Sequence, residues 1–128
     1  MRNRFFTACV VALTALVMLA GTQEDEAMAL ATRLSPRLAQ KLEFKQVKKK
    51  GTDYFTLQNK GDKVLITANN ANSMAVGVNR YLKKYCHTTV SWYADVAIDL
   101  PAELPAVDGI ETVNARVPQR FFFNYCTF

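Results

Sequence analysis

The chain has 128 residues, of which 50% are hydrophobic and 21% charged, with only five glycines and four prolines. This balance is typical of one globular domain and excludes a disordered chain, a collagen-like repeat and a disulfide-dense mini-protein. The length argues against a complete barrel or doubly wound enzyme such as a glycosidase, kinase or dehydrogenase. The net charge of +5 includes Arg2 and Arg4, so the remaining chain is only mildly basic.

Residues 1–21 have the pattern of a secretory signal peptide. Arg2 and Arg4 precede an uncharged run, Ala8–Gly21, that is rich in Ala, Val and Leu. A membrane-spanning helix needs about 20 apolar residues, more than this run provides. The sequence therefore predicts export to the periplasm or the extracellular space, with membrane contact only through this segment. An uncleaved N-terminal anchor is the alternative.

Two helical regions are predicted from apolar residues at helical spacing. The first covers Glu26–Leu34 and is followed by a short turn that begins at Ser35-Pro36. The second runs from the Asn-rich segment 69–73 to about Tyr85 and carries an apolar stripe. Gly77 lies inside this helix, which indicates close packing of the helix on a sheet.

Strand-forming residues and turn-rich segments predict a sheet. The main strands are predicted over Leu42–Val47, Tyr54–Gln58 and Lys63–Ala68, most simply as an antiparallel meander. Shorter strands are predicted over Thr88–Tyr93, Ala97–Leu100 and Gly109–Val113. The predicted fold class is α+β, a small antiparallel sheet of about four strands with two helices on one face. A last apolar and aromatic run, Arg120–Phe128, suits a strand buried on both faces, yet no partner strand follows it.

Few residues suggest cofactor or nucleophile chemistry. One histidine, His87, and the two cysteines beyond the signal segment, Cys86 and Cys126, make a poor zinc site, so we predict no metal and no other cofactor. Cys86 and His87 are neighbours at a helix end, where a base is poorly placed to reach the thiol of a catalytic dyad. We predict a small buried cysteine and a surface or helix-capping histidine.

Other candidate motifs favour structural roles. The acidic residues at positions 95, 99, 103, 108 and 111 form no evident pair for glycoside hydrolysis, and no nucleophilic serine motif or phosphate loop is present. Lys48–Lys50 is predicted to be a solvated loop rather than a nucleic-acid patch, because no aromatic residues lie between the lysines. Trp92 and Tyr93 suit a sugar-stacking surface or the core, and the core is favoured.

Four stretches, in the same order and with nearly the same spacing, resemble the alpha-N-acetylglucosaminidase family of glycoside hydrolases (family 89). They cover roughly residues 53–128 and are DYFTL, KVLITANNANSMAVGVNRYLKKYC, VSWYADVAIDLPAELPAV and RFFFNYCTF. The resemblance implies an N-terminal α+β accessory domain over residues 22–108. Residues 109–128 would then be a linker and the start of a missing catalytic (β/α)8 barrel, whose first strand is the aromatic run. Family members remove terminal α-linked N-acetylglucosamine with retention, using two barrel glutamates that have no counterpart in this chain.

By this resemblance, Asn124 and Cys126 fall where family members contact the sugar. An amide in an apolar strand is costly without a hydrogen-bond partner, and a sugar hydroxyl is a suitable one, with an internally bonded core Asn as the alternative. A pocket-lining Cys126 thiol argues against a disulfide with Cys86.

Two functions are expected from these observations. The first is an accessory domain, inert by itself, whose partners are the missing barrel and a glycan with terminal α-N-acetylglucosamine. The second is a free-standing exported carbohydrate-binding module. Neither involves nucleic acid.

Overall fold

The structure, a computed structural model, describes residues 21–48, 51–91 and 97–118. Its helices are α1 (Gln23–Leu34), α2 (Pro36–Lys41) and α3 (Ala71–Lys84). Its strands are β1 (Leu42–Gln46), β2 (Tyr54–Lys60), β3 (Lys63–Ala68) and β4 (Ile110–Asn114). The α+β class and the four-stranded sheet are confirmed. The described helices number three because the predicted turn after Ser35 forms a short helix of its own.

Helix α1 begins three residues earlier than predicted because Thr22 caps it. Thr22 Oγ1 accepts a hydrogen bond from the Asp25 amide over 3.1 Å, and Asp25 Oδ2 accepts one from the Thr22 amide over 2.9 Å. This reciprocal pair is a capping box. The bonds from the Thr22 amide and hydroxyl hold the pKa of Asp25 below its usual value. The helix therefore begins directly after the predicted signal segment.

The sheet has the order β1-β3-β2-β4, and β1 runs parallel to β3 while the other pairs are antiparallel. The meander prediction is therefore wrong for β1. The physical reason lies in β3, where Val64, Leu65 and Ile66 are all buried. A strand that is apolar on both faces is most stable in the interior of the sheet, so β3 lies between β1 and β2.

The predicted hairpin between β2 and β3 is confirmed. Lys60 pairs with Lys63 across a loop of two residues, Gly61 and Asp62. Gly61 has a φ of 59°, a left-handed conformation that glycine adopts without steric cost.

The helices pack on one face of the sheet and enclose the core there. The apolar residues of β1, β2 and β3 on that face are fully or almost fully buried, among them Leu42, Leu57 and Ile66. Gly77 of α3 lies directly over the sheet, since a β-carbon at that position would meet Ile66 and Phe55. The predicted close approach of this helix to the sheet is confirmed.

The segment between α3 and β4 differs from the prediction. No strand forms over residues 88–91 or 97–100, so the predicted strands over Thr88–Tyr93 and Ala97–Leu100 are wrong in their described parts. Residues 97–109, called here the strap, run without regular structure, and prolines at 101 and 105 remove backbone donors. The strand predicted over Gly109–Val113 is confirmed as β4, which pairs with β2 at the edge of the sheet.

Candidate functional site

The predicted sugar contacts, Asn124 and Cys126, lie outside the described residues, and so do Trp92 and Tyr93. Nothing in the structure tests these residues, and their roles stay predictions. The structure shows which contacts the polar side chains of the described residues make.

Cys86 and His87 occupy different environments. Cys86 is a free thiol with 7% of its surface exposed, and burial raises its pKa above the usual cysteine value. His87 is exposed and has a left-handed φ of 52° where the chain leaves α3. The Thr88 amide then donates to the Leu82 carbonyl over 3.0 Å, which closes the helix end. The predictions of a buried cysteine and a surface histidine are confirmed, and the pair does not form a nucleophile and base.

Glu111 joins β4 to α3. Its carboxylate accepts hydrogen bonds from Arg80 Nε over 2.8 Å, from Lys84 Nζ over 2.9 Å and from the Tyr85 hydroxyl over 3.0 Å. Only 14% of the Glu111 side chain is exposed. Burial opposes ionisation, but the bonds from Lys84, Arg80 and Tyr85 outweigh it, so the pKa of Glu111 lies below its usual value. No local pattern indicates this cluster, because Glu111 is 26 to 31 positions away from its three partners.

A second cluster lies at the start of α3, beside the point where β4 ends. Asn70 Oδ1 accepts from the Ser73 amide over 2.8 Å and so caps the helix. Asp53 Oδ1 accepts from the side-chain amides of Asn69 and Asn70 over 3.0 and 2.9 Å. The Asp53 carbonyl accepts from the Ala115 amide over 2.7 Å. The Asn-rich segment was predicted to cap the helix, and Asn70 is the residue that does so.

Side chains from three different elements form hydrogen bonds to the backbone of the strap. Arg37 of α2 donates to the carbonyls of Pro101 and Ala102 over 2.9 and 2.6 Å. The Tyr81 hydroxyl donates to the Pro105 carbonyl over 2.7 Å. The side-chain amide of Asn59 donates to the Val107 carbonyl over 2.7 Å and accepts from the Val107 amide over 2.9 Å. These bonds satisfy backbone groups that regular structure leaves unpaired.

A cavity of about 490 Å³ is lined by two carboxylates. Asp62 and Glu103 both line it, and both are exposed beside Arg37, Lys41 and Lys63. The acid of a glycosidase is a carboxyl group in apolar surroundings, facing a second carboxylate across the sugar. This open and basic cavity does not offer that environment.

The described ranges also show no metal-binding cluster. Within residues 21–48, 51–91 and 97–118, no group of three or more His, Cys, Asp or Glu side chains is placed to hold a metal ion. In the same ranges, no helix is long and apolar enough to cross a membrane.

One sheet with a single helical layer, in which polar clusters connect separate chain segments, defines a small α+β domain. Residues 25–106, more than half of the chain, match the family described as the alpha-N-acetylglucosaminidase (NAGLU) N-terminal domain. The chain belongs to this family. No curated protein matches it.

Solved structures similar to the chain are family 89 glycoside hydrolases from Clostridium perfringens. One, in complex with PUGNAc, is 29% identical with a TM-score of 0.72 over 82% of this chain and 12% of its own. Another carries two glutamate-to-glutamine substitutions and is in complex with its substrate GlcNAc-alpha-1,4-galactose. It is 29% identical with a TM-score of 0.70 over 77% of this chain and 11% of its own. The chain thus spans about one ninth of the length of these enzymes.

Proposed function

We propose that this chain is the accessory domain of an exported alpha-N-acetylglucosaminidase that releases terminal α-linked N-acetylglucosamine from glycans. The observation that carries the proposal is the family match over residues 25–106. The neighbour in complex with GlcNAc-alpha-1,4-galactose supports the substrate class.

The accessory domain is inert by itself in this proposal. Retaining glycosidases use two carboxyl groups that face each other about 5 Å apart across the sugar ring. Of the acidic residues considered above, Glu111 is bonded to two donors on α3 and to Tyr85 directly after it, and Asp62 and Glu103 lie in an exposed basic cavity. The domain therefore contributes by supporting the catalytic barrel, and the barrel supplies the catalytic glutamates. Asn124 and Cys126 remain predicted sugar contacts of the assembled enzyme.

Export is the second part of the proposal. Residues 1–21 have signal-peptide character, and α1 is capped by Thr22 immediately after them. N-terminal sequencing of the protein from its native host tests this. A mature chain that begins close to Thr22 supports export, and a retained Met1 in a cytoplasmic fraction contradicts it.

The activity is tested in two steps. Immunoblotting and intact-mass measurement in the native host give the size of the product, and an α-linked aryl glycoside of N-acetylglucosamine reports hydrolysis. We expect a product several times 14.4 kDa that hydrolyses the glycoside, while the purified 128-residue chain does not. Hydrolysis by the short chain would disprove inertness. A native product no longer than this chain, with heat of binding to amino-sugar glycans in calorimetry, would replace the proposal with a carbohydrate-binding module.

A further inference from the structure

The basic cavity of about 490 Å³ lies beside the turn that joins β2 to β3. Three cationic side chains line it, together with two carboxylates, one amide and one leucine. The lining residues are Arg37, Gln40, Lys41, Asp62, Lys63, Glu103 and Leu104. Because the cations outnumber the carboxylates, the cavity carries a net positive charge. The proposed function assigns no role to it.

Secondary structure brings the three cations together. Arg37 and Lys41 are four residues apart on α2, so they lie on one face of that helix. Lys41 and Lys63 each directly precede a residue of the first pair in the parallel ladder between β1 and β3. The two lysines therefore lie side by side at the amino end of these strands.

The three cations are not neutralised by their neighbours. In the described part of the chain, none of them forms an ion pair. Asp62 and Glu103 line the same cavity without pairing with them. Lys60, which faces Lys63 across the hairpin, differs in this respect because it is paired with Glu43. Like charges side by side repel, so a bound anion stabilises this arrangement.

The guanidinium of Arg37 is held in place and keeps unused donors. Its Nη2 donates to the carbonyls of Pro101 and Ala102 in the strap over 2.9 and 2.6 Å. Its Nε and Nη1 make no hydrogen bond to the described residues. A guanidinium that is already oriented loses little freedom when it binds an anionic oxygen, and phosphate is an anion that arginine and lysine both bind well.

The cavity lies far from the point where β4 ends. Asn114, the last residue of β4, pairs with Tyr54 at the start of β2, whereas the turn beside the cavity follows Lys60 at the end of β2. The cavity and residues 115–118 are therefore at opposite ends of the sheet. A ligand in the cavity does not meet the chain that follows β4.

We propose that this cavity is a binding site for a phosphate monoester. Arg37, Lys41 and Lys63 hold the phosphate group, whose charge of about −2 near pH 7 matches a cluster of several cations. The cavity is larger than a phosphate group and has the size of a small-molecule pocket, about 300–1,000 Å³. Gln40 and Leu104 contact the organic part of the ligand. This inference goes beyond the proposed function and does not depend on it.

The test is an NMR titration of the purified 128-residue chain with inorganic phosphate and with glucose 6-phosphate, at one low ionic strength. We expect saturable shifts of the backbone amides around the cavity, with tighter binding of the sugar ester. Lys63→Gln removes one cation and should weaken binding of the ester roughly fivefold. Glu103→Gln removes a repelling carboxylate and should strengthen it roughly twofold.

Lys48→Gln is the matched control, because Lys48 is exposed and follows β1 at the opposite end of the strand from Lys41. This variant should bind the ester as wild type does. All three substitutions are at exposed positions, and circular dichroism establishes that each variant is folded.

Three results would overturn the inference. If Lys48→Gln weakens binding as much as Lys63→Gln, or if the shifts do not saturate, only the general positive charge attracts phosphate. If Glu103→Gln weakens binding, the carboxylate contacts the ligand and the assigned roles are wrong. If inorganic phosphate binds as tightly as glucose 6-phosphate, the site takes the free ion and not an ester. None of these results affects the proposed function, which is measured separately by hydrolysis of the aryl glycoside.

Discussion

Gly77 and Ile66 approach so closely that a β-carbon at position 77 would lie 2.8 Å from Cγ2 of Ile66. The atom it would meet is attached directly to the Ile66 β-carbon, so rotation of a flexible side-chain end does not relieve the contact. The same β-carbon would lie 3.3 Å from Cδ2 of Phe55, so it would be crowded from a second side as well. The contact fixes how closely α3 packs on the sheet.

We therefore expect Gly77→Ala to destabilise the domain, although alanine favours a helix by about 1 kcal/mol relative to glycine. Overpacking of a core costs about 1–3 kcal/mol, and the helix propensity of alanine offsets about 1 kcal/mol of it, so the net loss in the free energy of unfolding should be up to about 2 kcal/mol. Urea denaturation measures it. In an Ile66→Ala background the obstructing methyl is absent, and the same substitution should be neutral or stabilising. A loss of equal size in both backgrounds would show that the contact is not the cause.

Glu111 is expected to make stability depend on pH. Its pKa is lowered in the folded protein, so its contribution is fully present above the usual value of 4.5 and is lost as the pH falls through the folded-state pKa. Glu111→Gln keeps the shape but removes the charge and should cost about 1–2 kcal/mol at pH 7, because charged hydrogen bonds become neutral. In denaturation experiments from pH 7 to pH 3, the free energies of unfolding of wild type and Glu111→Gln should become similar at the acid end. A difference that persists unchanged at pH 3 would contradict the assignment.

Much of the secondary structure was predictable because it depends on local spacing. The stripe of α3, the turn at Gly61 and the strand patterns of β2 and β3 are all properties of neighbouring residues. The buried run Val64–Ile66 also contained a signal for a central strand. The meander prediction instead pairs each strand with the next one along the chain, whereas β3 lies between β1 and β2.

The tertiary polar contacts were not predictable from the same patterns. Gln23 Oε1 accepts from the Ala71 amide over 2.7 Å, and Glu24 Oε1 accepts from the Gln46 amide over 2.8 Å. These bonds connect residues 22 to 48 positions apart, and no periodicity encodes them. Only the start of the strap, Ala97–Leu100, is predicted as a strand from the sequence, and it forms none. Farther along the strap, backbone carbonyls are bonded instead by the side chains of Arg37, Tyr81 and Asn59.

The cap of α3 gives a prediction that separates two roles of one side chain. Asn70 accepts from the Ser73 amide and donates to Asp53, so Asn70→Ala should cost about 1–2 kcal/mol of unfolding free energy. Asn70→Ser keeps a capping oxygen without the contact to Asp53 and should recover part of this loss. Asn72→Ala, at an exposed position next to the cluster, is the control and should change little. Thermal unfolding measures all three, and equal losses for the alanine and serine variants would show that capping is not the main contribution.

The thiol of Cys86 should react slowly in the folded protein. Only 7% of the residue is exposed, and burial raises its pKa, so little thiolate is available at neutral pH. With an aromatic disulfide reagent, a double variant carrying Cys9→Ser and Cys126→Ser isolates this thiol. We expect modification at pH 7.5 to be slower than in urea by roughly 100-fold or more, since the reagent needs an opening of the core. Rapid modification under native conditions would contradict the buried position.

Loss of the hydrogen bond from Tyr81 to Pro105 should increase local opening of the strap more than it lowers the stability of the whole domain. Tyr81→Phe keeps the ring in the core but leaves the Pro105 carbonyl without its donor, at a cost of about 1 kcal/mol. Hydrogen exchange of the Val107 amide, which is bonded to Asn59 Oδ1, should accelerate about fivefold, because the strap then opens more readily. Tyr85→Phe is the matched control, since Tyr85 bonds to Glu111 and not to the strap. If the two variants accelerate Val107 exchange equally, the effect arises from general loss of stability and not from release of the strap.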